Sequence, residues 1–368
     1  MRIKPFDLER WLPTHSCKYD LAGSVVKPLR LNELINELNL NIELMHGPTQ
    51  GSKELRSRVS ELYSNVNEDN VLIVNGTTEG NFLAMSYLIE PGDEVLIGGL
   101  PTYLQSVGLA EALGARVKFF YLGEQKNYKL DLDSLNEHVS KRTKMIIIVN
   151  PNNPTGSCFS RKEIMNICEI AYDVKAYVLA DEVLRYTELN GSPSISPVEL
   201  YDKGLSTGSL SKLGLAGLRT GWLVADKKLI QKFWAQKDYT TLANPILSDH
   251  IANIALQREN FEKICQRARK ICKENLKIFL KWLEKNEQIL KCITPTAGAV
   301  VFPQYRLEID SVRLCKKLLF EKSILLTPGD YFKASKHFRL QYGGVDKDTL
   351  KTVLEVLSDF LCSFDGGC

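Results

Sequence analysis

Short apolar runs alternate with amphipathic, helix-length stretches from about residue 70 to residue 225. Residues 71–74, 94–97, 117–121, 145–149, 177–180 and 222–225 read as strands, because each is a nearly continuous apolar run too short for a helix. Residues 80–89, 103–113 and 161–172 read as helices between them. Strands that are apolar on both faces and separated by helices predict a mainly parallel sheet covered on both sides, an α/β arrangement.

The pattern changes after residue 248. Residues 249–290 are helix-prone, with few breakers and many Lys, Glu, Leu and Ile residues. After Pro295 come short apolar runs at 299–302, 323–326 and 337–342, then a closing helix over 347–361. That succession predicts a smaller α+β domain. The first 35 residues do not fit the large domain's alternation and are assigned to the small one. The expected division is therefore 36–248 for the large domain, with 1–35 and 249–368 forming the small one. Two lobes leave a cleft between them, where small-molecule sites form.

Composition narrows the function classes. With 44% hydrophobic and 25% charged residues, the 368-residue chain has the balance of a globular protein, and no run approaches a membrane span. The 47 basic and 44 acidic residues are scattered without a Lys/Arg block, so neither a nucleic acid nor a membrane is an expected partner. Residues 1–12 lack the apolar core of a signal peptide, which points to the cytoplasm. Nine cysteines, without Cys-x-x-Cys or Cys/His ligand spacing, read as reduced thiols and predict no metal site; Cys362 and Cys368 are expected to be exposed.

Three segments carry candidate chemistry. Ser209-Leu210-Ser211-Lys212 continues through Gly214-Leu215-Ala216-Gly217-Leu218-Arg219. Hydroxyls and a guanidinium can hold a phosphate there while the lysine amine bonds to a carbonyl; an ordinary surface loop is the other reading. Asn150-Pro151-Asn152-Asn153-Pro154-Thr155-Gly156 follows a strand, and its two Asn-Pro pairs fix polar side chains at the carboxyl edge of the sheet, whether as a ligand loop or a plain tight turn. Leu179-Ala180-Asp181-Glu182 ends another strand in a carboxylate, suited to a protonated heterocyclic nitrogen or to capping a helix.

Together and in this order, the three segments resemble the fold-type-I pyridoxal 5′-phosphate (PLP) enzymes of aminotransferase class I/II over nearly the whole chain. The resemblance implies an aspartate aminotransferase-like fold and a transaminase acting on an amino acid and a 2-oxo acid. It implies that Lys212 carries PLP as a Schiff base and shuttles the α-proton. Asp181 would meet the pyridine nitrogen, Asn153 the ring's phenolic oxygen, and Tyr103, in Leu100-Pro101-Thr102-Tyr103, would stack on the ring. Ser209 and Arg219, with Gly76, Thr77 and Thr78 before a helix, would hold the phosphate. Arg339, in Phe338-Arg339-Leu340, would fork onto the substrate α-carboxylate, with Asn153 and Gly23 beside it. His46 and Asn244 would reach the site of the other subunit of a homodimer.

Two positions depart from the family pattern. Leu184 stands where a tyrosine usually bonds the phenolic oxygen, with Tyr186 as a candidate substitute, and His46 stands where relatives commonly have a tyrosine. The segments 6–11 and 19–24 look like a subgroup that includes capreomycidine synthase. An elimination lyase or cyclase acting on a β-substituted amino acid is therefore the second expectation. A non-enzymatic PLP or amino-acid sensing module is a remote third, because 35 N-terminal residues are too few for a DNA-binding domain.

Overall fold

A computed structural model describes residues 2–12, 15–35 and 41–364. The expected domain boundary at residue 36 and the expectation for Cys368 lie outside these residues. In chain order the strands are β1 (Tyr19–Asp20), β2 (Val71–Val74), β3 (Glu94–Leu100), β4 (Arg116–Gly123), β5 (Lys129–Leu130), β6 (Thr143–Val149), β7 (Tyr177–Asp181), β8 (Gly204–Ser209) and β9 (Gly221–Val224). They are followed by β10 (Leu290–Lys291), β11 (Val300–Val301), β12 (Gln304–Tyr305), β13 (Ile324–Leu325), β14 (Thr327–Pro328) and β15 (Phe338–Gln341).

Eight strands form one sheet in the order β2-β9-β8-β7-β6-β3-β4-β5. Only β9 and β5 run against the others. One face packs Leu72, Val74, Ile97 and Leu179 against the helices Thr77–Leu88 and Lys227–Lys237; the other packs Ile146, Ile148 and Val178 against the helix Arg161–Val174. This is the α/β fold read from the alternation. The apolar strands β2, β6 and β7 are close to their expected spans, because residues buried on both faces leave a run with no polar interruption.

Strand β8 was not expected. Its sequence, Gly-Leu-Ser-Thr-Gly-Ser, lacks the apolar run of its neighbours, yet all six residues are buried in the middle of the sheet. Small residues are required there: a Cβ on Gly208 would lie 2.4 Å from Trp222 Nε1. The single helix expected over 249–290 is two, Ile246–Ala255 and Arg258–Glu284. Gln257 leaves helical geometry between them, and the Asn260 amide bonds the Ile254 carbonyl and the Gln257 side chain at the break.

The N-terminal segment packs with the C-terminal part of the chain. β1 pairs in parallel with β13, and Trp11 Nε1 donates to the Leu326 carbonyl at 2.9 Å. Beside them β11, β15 and β14 form an antiparallel sheet, and β10 pairs with β12. The described cysteines form no disulfide, and Cys362 is half-buried against the core rather than exposed, because it lies on the last turn of the helix Lys347–Cys362. Among the described residues no helix is long and apolar enough to cross a membrane, and no metal-binding cluster is present.

Because β2, β6, β7 and β8 point the same way, Gly76 to Thr78, Asn150 to Asn153, Asp181 and Ser209 all fall at one edge of the sheet. The carboxyl edge of such a sheet is where ligands bind.

Candidate active site

A cavity of about 490 Å³ opens at that edge. Lys212, Asp181, Asn153, Arg219, Tyr103, Thr77, Thr78, Arg339 and Gly23 all line it, so nine of the residues singled out in the sequence converge. Gly76 and Ser209 stand just outside its lining. A Cβ on Gly76 would meet the Arg219 guanidinium at 2.5 Å, and φ is +79° there, so the close approach of Arg219 to the start of the helix Thr77–Leu88 requires glycine. That helix begins three residues earlier than its expected start, which brings its free N–H groups to the cavity. Ser209 accepts the Ser211 backbone N–H at 3.2 Å, and Ser211 joins the lining.

Lys212 donates to Ser24 Oγ at 2.8 Å. Burial, reinforced by the nearby Arg339, pulls its pKa down to about 8, against the opposing carboxylates of Glu9 and Asp181. At neutral pH it is therefore much closer to a free amine than a surface lysine.

Asp181 ends β7 with both oxygens engaged. Oδ2 accepts Asn81 Nδ2 at 2.8 Å and Oδ1 accepts the Val183 N–H at 3.0 Å. Asn81 in turn accepts Thr207 Oγ1 at 2.8 Å, which fixes its rotamer. Burial pushes the Asp181 carboxyl above the usual carboxylate range despite these bonds. A cationic ring nitrogen in the cavity would supply the positive partner that the buried carboxylate lacks.

Arg339 is 1% exposed, so it is no surface strand arginine. Its Nη1 donates to Asn153 Oδ1 at 2.9 Å and its Nη2 to the Ala22 carbonyl at 2.6 Å, while the guanidinium lies over Phe332 at 5.0 Å. Burial pulls its pKa down to about 10, and Nε has no hydrogen-bond partner among the described residues. A buried cation held only by neutral acceptors is completed by an anion such as a carboxylate.

Asn153 is held by Arg339, and Asn150 accepts the Phe159 N–H at 2.9 Å; the peptide bonds that follow both asparagines are cis. Tyr103 packs edge-on against Phe6 at 5.1 Å and donates to Glu9 Oε1 at 2.8 Å.

Three expected site features do not join the cavity. Tyr186 does not stand in for Leu184: with φ at +73° its hydroxyl turns away and donates to the Leu62 carbonyl at 2.9 Å. His46 is exposed and lies outside the cavity. Asn244 is buried, with its amide on the Val74 carbonyl at 2.9 Å and its Oδ1 unpartnered among the described residues. Conversely, Glu9, Ser24 and Asn81 were not singled out in the sequence. Glu9 and Ser24 lie within the segments 6–11 and 19–24, which were noted without a role for either residue, and nothing local signals that they meet Tyr103 and Lys212, 94 and 188 residues away. A larger groove of about 710 Å³ adjoins the cavity but lacks Lys212, Asp181 and Arg339.

The donor set fits PLP: an amine for its aldehyde, a carboxylate for its ring nitrogen, and an arginine beside a helix N-terminus for its phosphate. A family model described as aminotransferase class I and II matches residues 36–357. The capreomycidine synthase of Streptomyces vinaceus is 28% identical over 347 residues, spanning 91% of this chain and 88% of that protein. An aspartate aminotransferase of Pyrococcus horikoshii is 32% identical over 296 residues, spanning 77% and 74%. The crystal structure of a PLP-dependent aminotransferase from Streptococcus suis 89-1591 superposes with a TM-score of 0.92 at 34% identity, covering 99% of each chain.

Proposed function

Because the chain belongs to the aminotransferase class I and II family and is accordingly a PLP-dependent enzyme, we propose that it is a transaminase that moves an amino group from an amino acid to a 2-oxo acid, with Lys212 as its central residue. When bound, the cofactor supplies an aldehyde that condenses with amines and a ring that draws electrons from the substrate α-carbon. Lys212 would hold that aldehyde and, as a free amine of modest basicity, would take and return the α-proton. Asp181 would keep the ring nitrogen cationic, and Asn153 would donate to the phenolic oxygen. Arg219, Ser209 and the backbone N–H groups at Gly76 to Thr78 would receive the phosphate. Arg339 grips the α-carboxylate, with Asn153 and Gly23 at its side. The observation that carries this reading is the convergence of Lys212, Asp181 and Arg339 on one cavity, where the Arg339 Nε has no partner among the described residues.

The large domain is taken as 36–248 and the small one as 1–35 with 249–368, the cleft lying between them. A homodimer would give a role to His46, which is exposed and does not line its own cavity, whereas Asn244 is buried with its amide on the Val74 carbonyl of its own chain. The buried, unpaired thiols of Cys168, Cys265, Cys272 and Cys315 suit the reducing cytoplasm.

A second reading, elimination or cyclisation on a β-substituted amino acid, is favoured by one observation. Leu184 is buried and Tyr186 is turned away, so only Asn153 remains to tune the phenolic oxygen. The 28% identity to a capreomycidine synthase points the same way. The deciding experiment offers amino acids to the holoenzyme without any oxo acid. Conversion of the cofactor to its amine form with release of one oxo acid is the expected result. Ammonia or a cyclic product, with the cofactor still an aldehyde, replaces transamination by the second reading.

The lysine's lowered pKa gives a pH prediction. Only the neutral amine attacks a carbonyl, and its fraction rises with pH, reaching half at the pKa. Capture of PLP by cofactor-free protein, followed by stopped-flow absorbance, is expected to accelerate up to about pH 8 and level off above it. A rate still climbing at about pH 10, the range of an unperturbed lysine, would show that Lys212 is not activated.

A further inference from the structure

We propose that Glu9 sets the substrate specificity of this site and that the amino-acid substrate carries a cationic side chain, an amine or a guanidinium, received by the Glu9 carboxylate at the mouth of the cleft. The proposal rests on the site reading given above and extends it to the side chain.

Matching charges across the cavity leads to it. Its lining includes three cationic residues, Lys212, Arg219 and Arg339, and two carboxylates, Asp181 and Glu9. The cofactor takes Lys212, Arg219 and Asp181, and the substrate α-carboxylate takes Arg339. Glu9 is the charged residue left over. Among the described residues no cation remains in the lining for a second carboxylate, so a dicarboxylic substrate finds no second partner in this cavity while a cationic one finds Glu9.

The position of Glu9 suits that role. It lies on the short helix Asp7–Trp11, whose Leu8 and Trp11 are buried and whose Trp11 indole is tied to Leu326, so the carboxylate is presented from an anchored segment. Its Oε1 accepts the Tyr103 hydroxyl, which leaves its remaining lone pairs for a ligand donor. Phe6, Leu8 and Leu12 line the cavity beside it, an apolar wall for the methylene stem of a lysine- or arginine-like side chain. The field of Glu9 crosses the cleft, since its carboxylate supports the cationic forms of both Lys212 and Arg339. An ammonium or guanidinium bonded to a carboxylate combines charge with directed hydrogen bonds, and a neutral isostere forfeits the charge.

The test uses near-isosteric pairs: L-arginine with L-citrulline and L-lysine with L-norleucine, with L-aspartate alongside. Half-saturating concentrations for the holoenzyme are read from the cofactor absorbance without oxo acid and from titration calorimetry, for wild type and Glu9→Gln. The amide of the variant can still accept the Tyr103 hydroxyl, so the cleft wall is kept. A cationic member is expected to bind at least about tenfold more tightly than its neutral partner in wild type, and within about threefold of it in Glu9→Gln. Equal binding within the pairs, tightest binding of L-aspartate, or a cation preference that survives in Glu9→Gln would overturn the proposal. The wild-type comparison stands without the variant. Neutral or acidic amino acids converting the cofactor at concentrations as low as the cationic ones would sink the specificity of Glu9 alone, whereas no Lys212-dependent cofactor band at all would sink the site reading beneath it.

Discussion

Lys212→Ala is expected to abolish borohydride-fixable attachment of PLP and to lower turnover by at least about 10² to 10⁴-fold, the range that a positioned proton-transfer group contributes. The structure separates this effect from unfolding. The lysine side chain's one hydrogen bond is to Ser24, and an amine held with its pKa at about 8 by burial contributes little that an apolar methyl group would lose. Circular dichroism and the melting temperature of the cofactor-free variant should therefore match the wild type closely. Non-covalent binding of the cofactor should persist through Arg219, Asp181 and the helix N-terminus, giving the spectrum of free rather than amine-bound aldehyde. Lys212→Arg serves as the second variant: it keeps a positive charge but cannot condense with a carbonyl, and it should be as inactive as alanine. Attachment of PLP at a different lysine in Lys212→Ala, found by peptide mapping after reduction, would remove the lysine from its assigned place.

Much of this site was legible in the chain because its parts are local motifs at strand ends. Asn150 to Asn153 follow β6 and Asp181 ends β7 at the same edge, and a parallel sheet brings such ends together without further information, while Ser209 to Lys212 was legible from its own residues and Arg219 rather than from the strand before it. What could not be read depends on contacts across the fold. Ser24 meets Lys212 because β1 pairs with β13 and carries residues 21–24 to the cavity. Glu9 meets Tyr103 because the helix Asp7–Trp11 is anchored by buried Leu8 and by the Trp11 indole on the Leu326 carbonyl. Strand β8 was hidden because the crowding of Trp222 demands glycine and small polar residues where a hydrophobic pattern would announce a strand. The direction of Tyr186 was equally hidden, since a positive φ at a tyrosine has no sequence signal and decides whether its hydroxyl faces the cofactor pocket or Leu62.

The other large expected effect belongs to Asp181. Asp181→Asn preserves the shape of the carboxylate but not its charge, and it leaves the site with one good acceptor oxygen where there were two. Asn81 Nδ2 and the Val183 N–H already claim one oxygen each, so the carboxamide nitrogen must face a donor on one side or the other. A ring nitrogen presented to that amide loses a charge-assisted hydrogen bond, a difference of about 1.5 to 3 kcal/mol, or roughly 10- to 150-fold in rate. Because the loss falls where electrons are drawn from the substrate, it should appear mainly in kcat, with a smaller weakening of PLP binding. Asn81→Ala provides the graded comparison. It removes a neighbour that orients Asp181 without removing the charge, so its loss of kcat should be smaller and its affinity for PLP nearly intact. If Asp181→Asn turned over at the wild-type rate, the buried carboxylate would be a structural cap on the Val183 N–H, and the cofactor ring would have to be oriented by other groups.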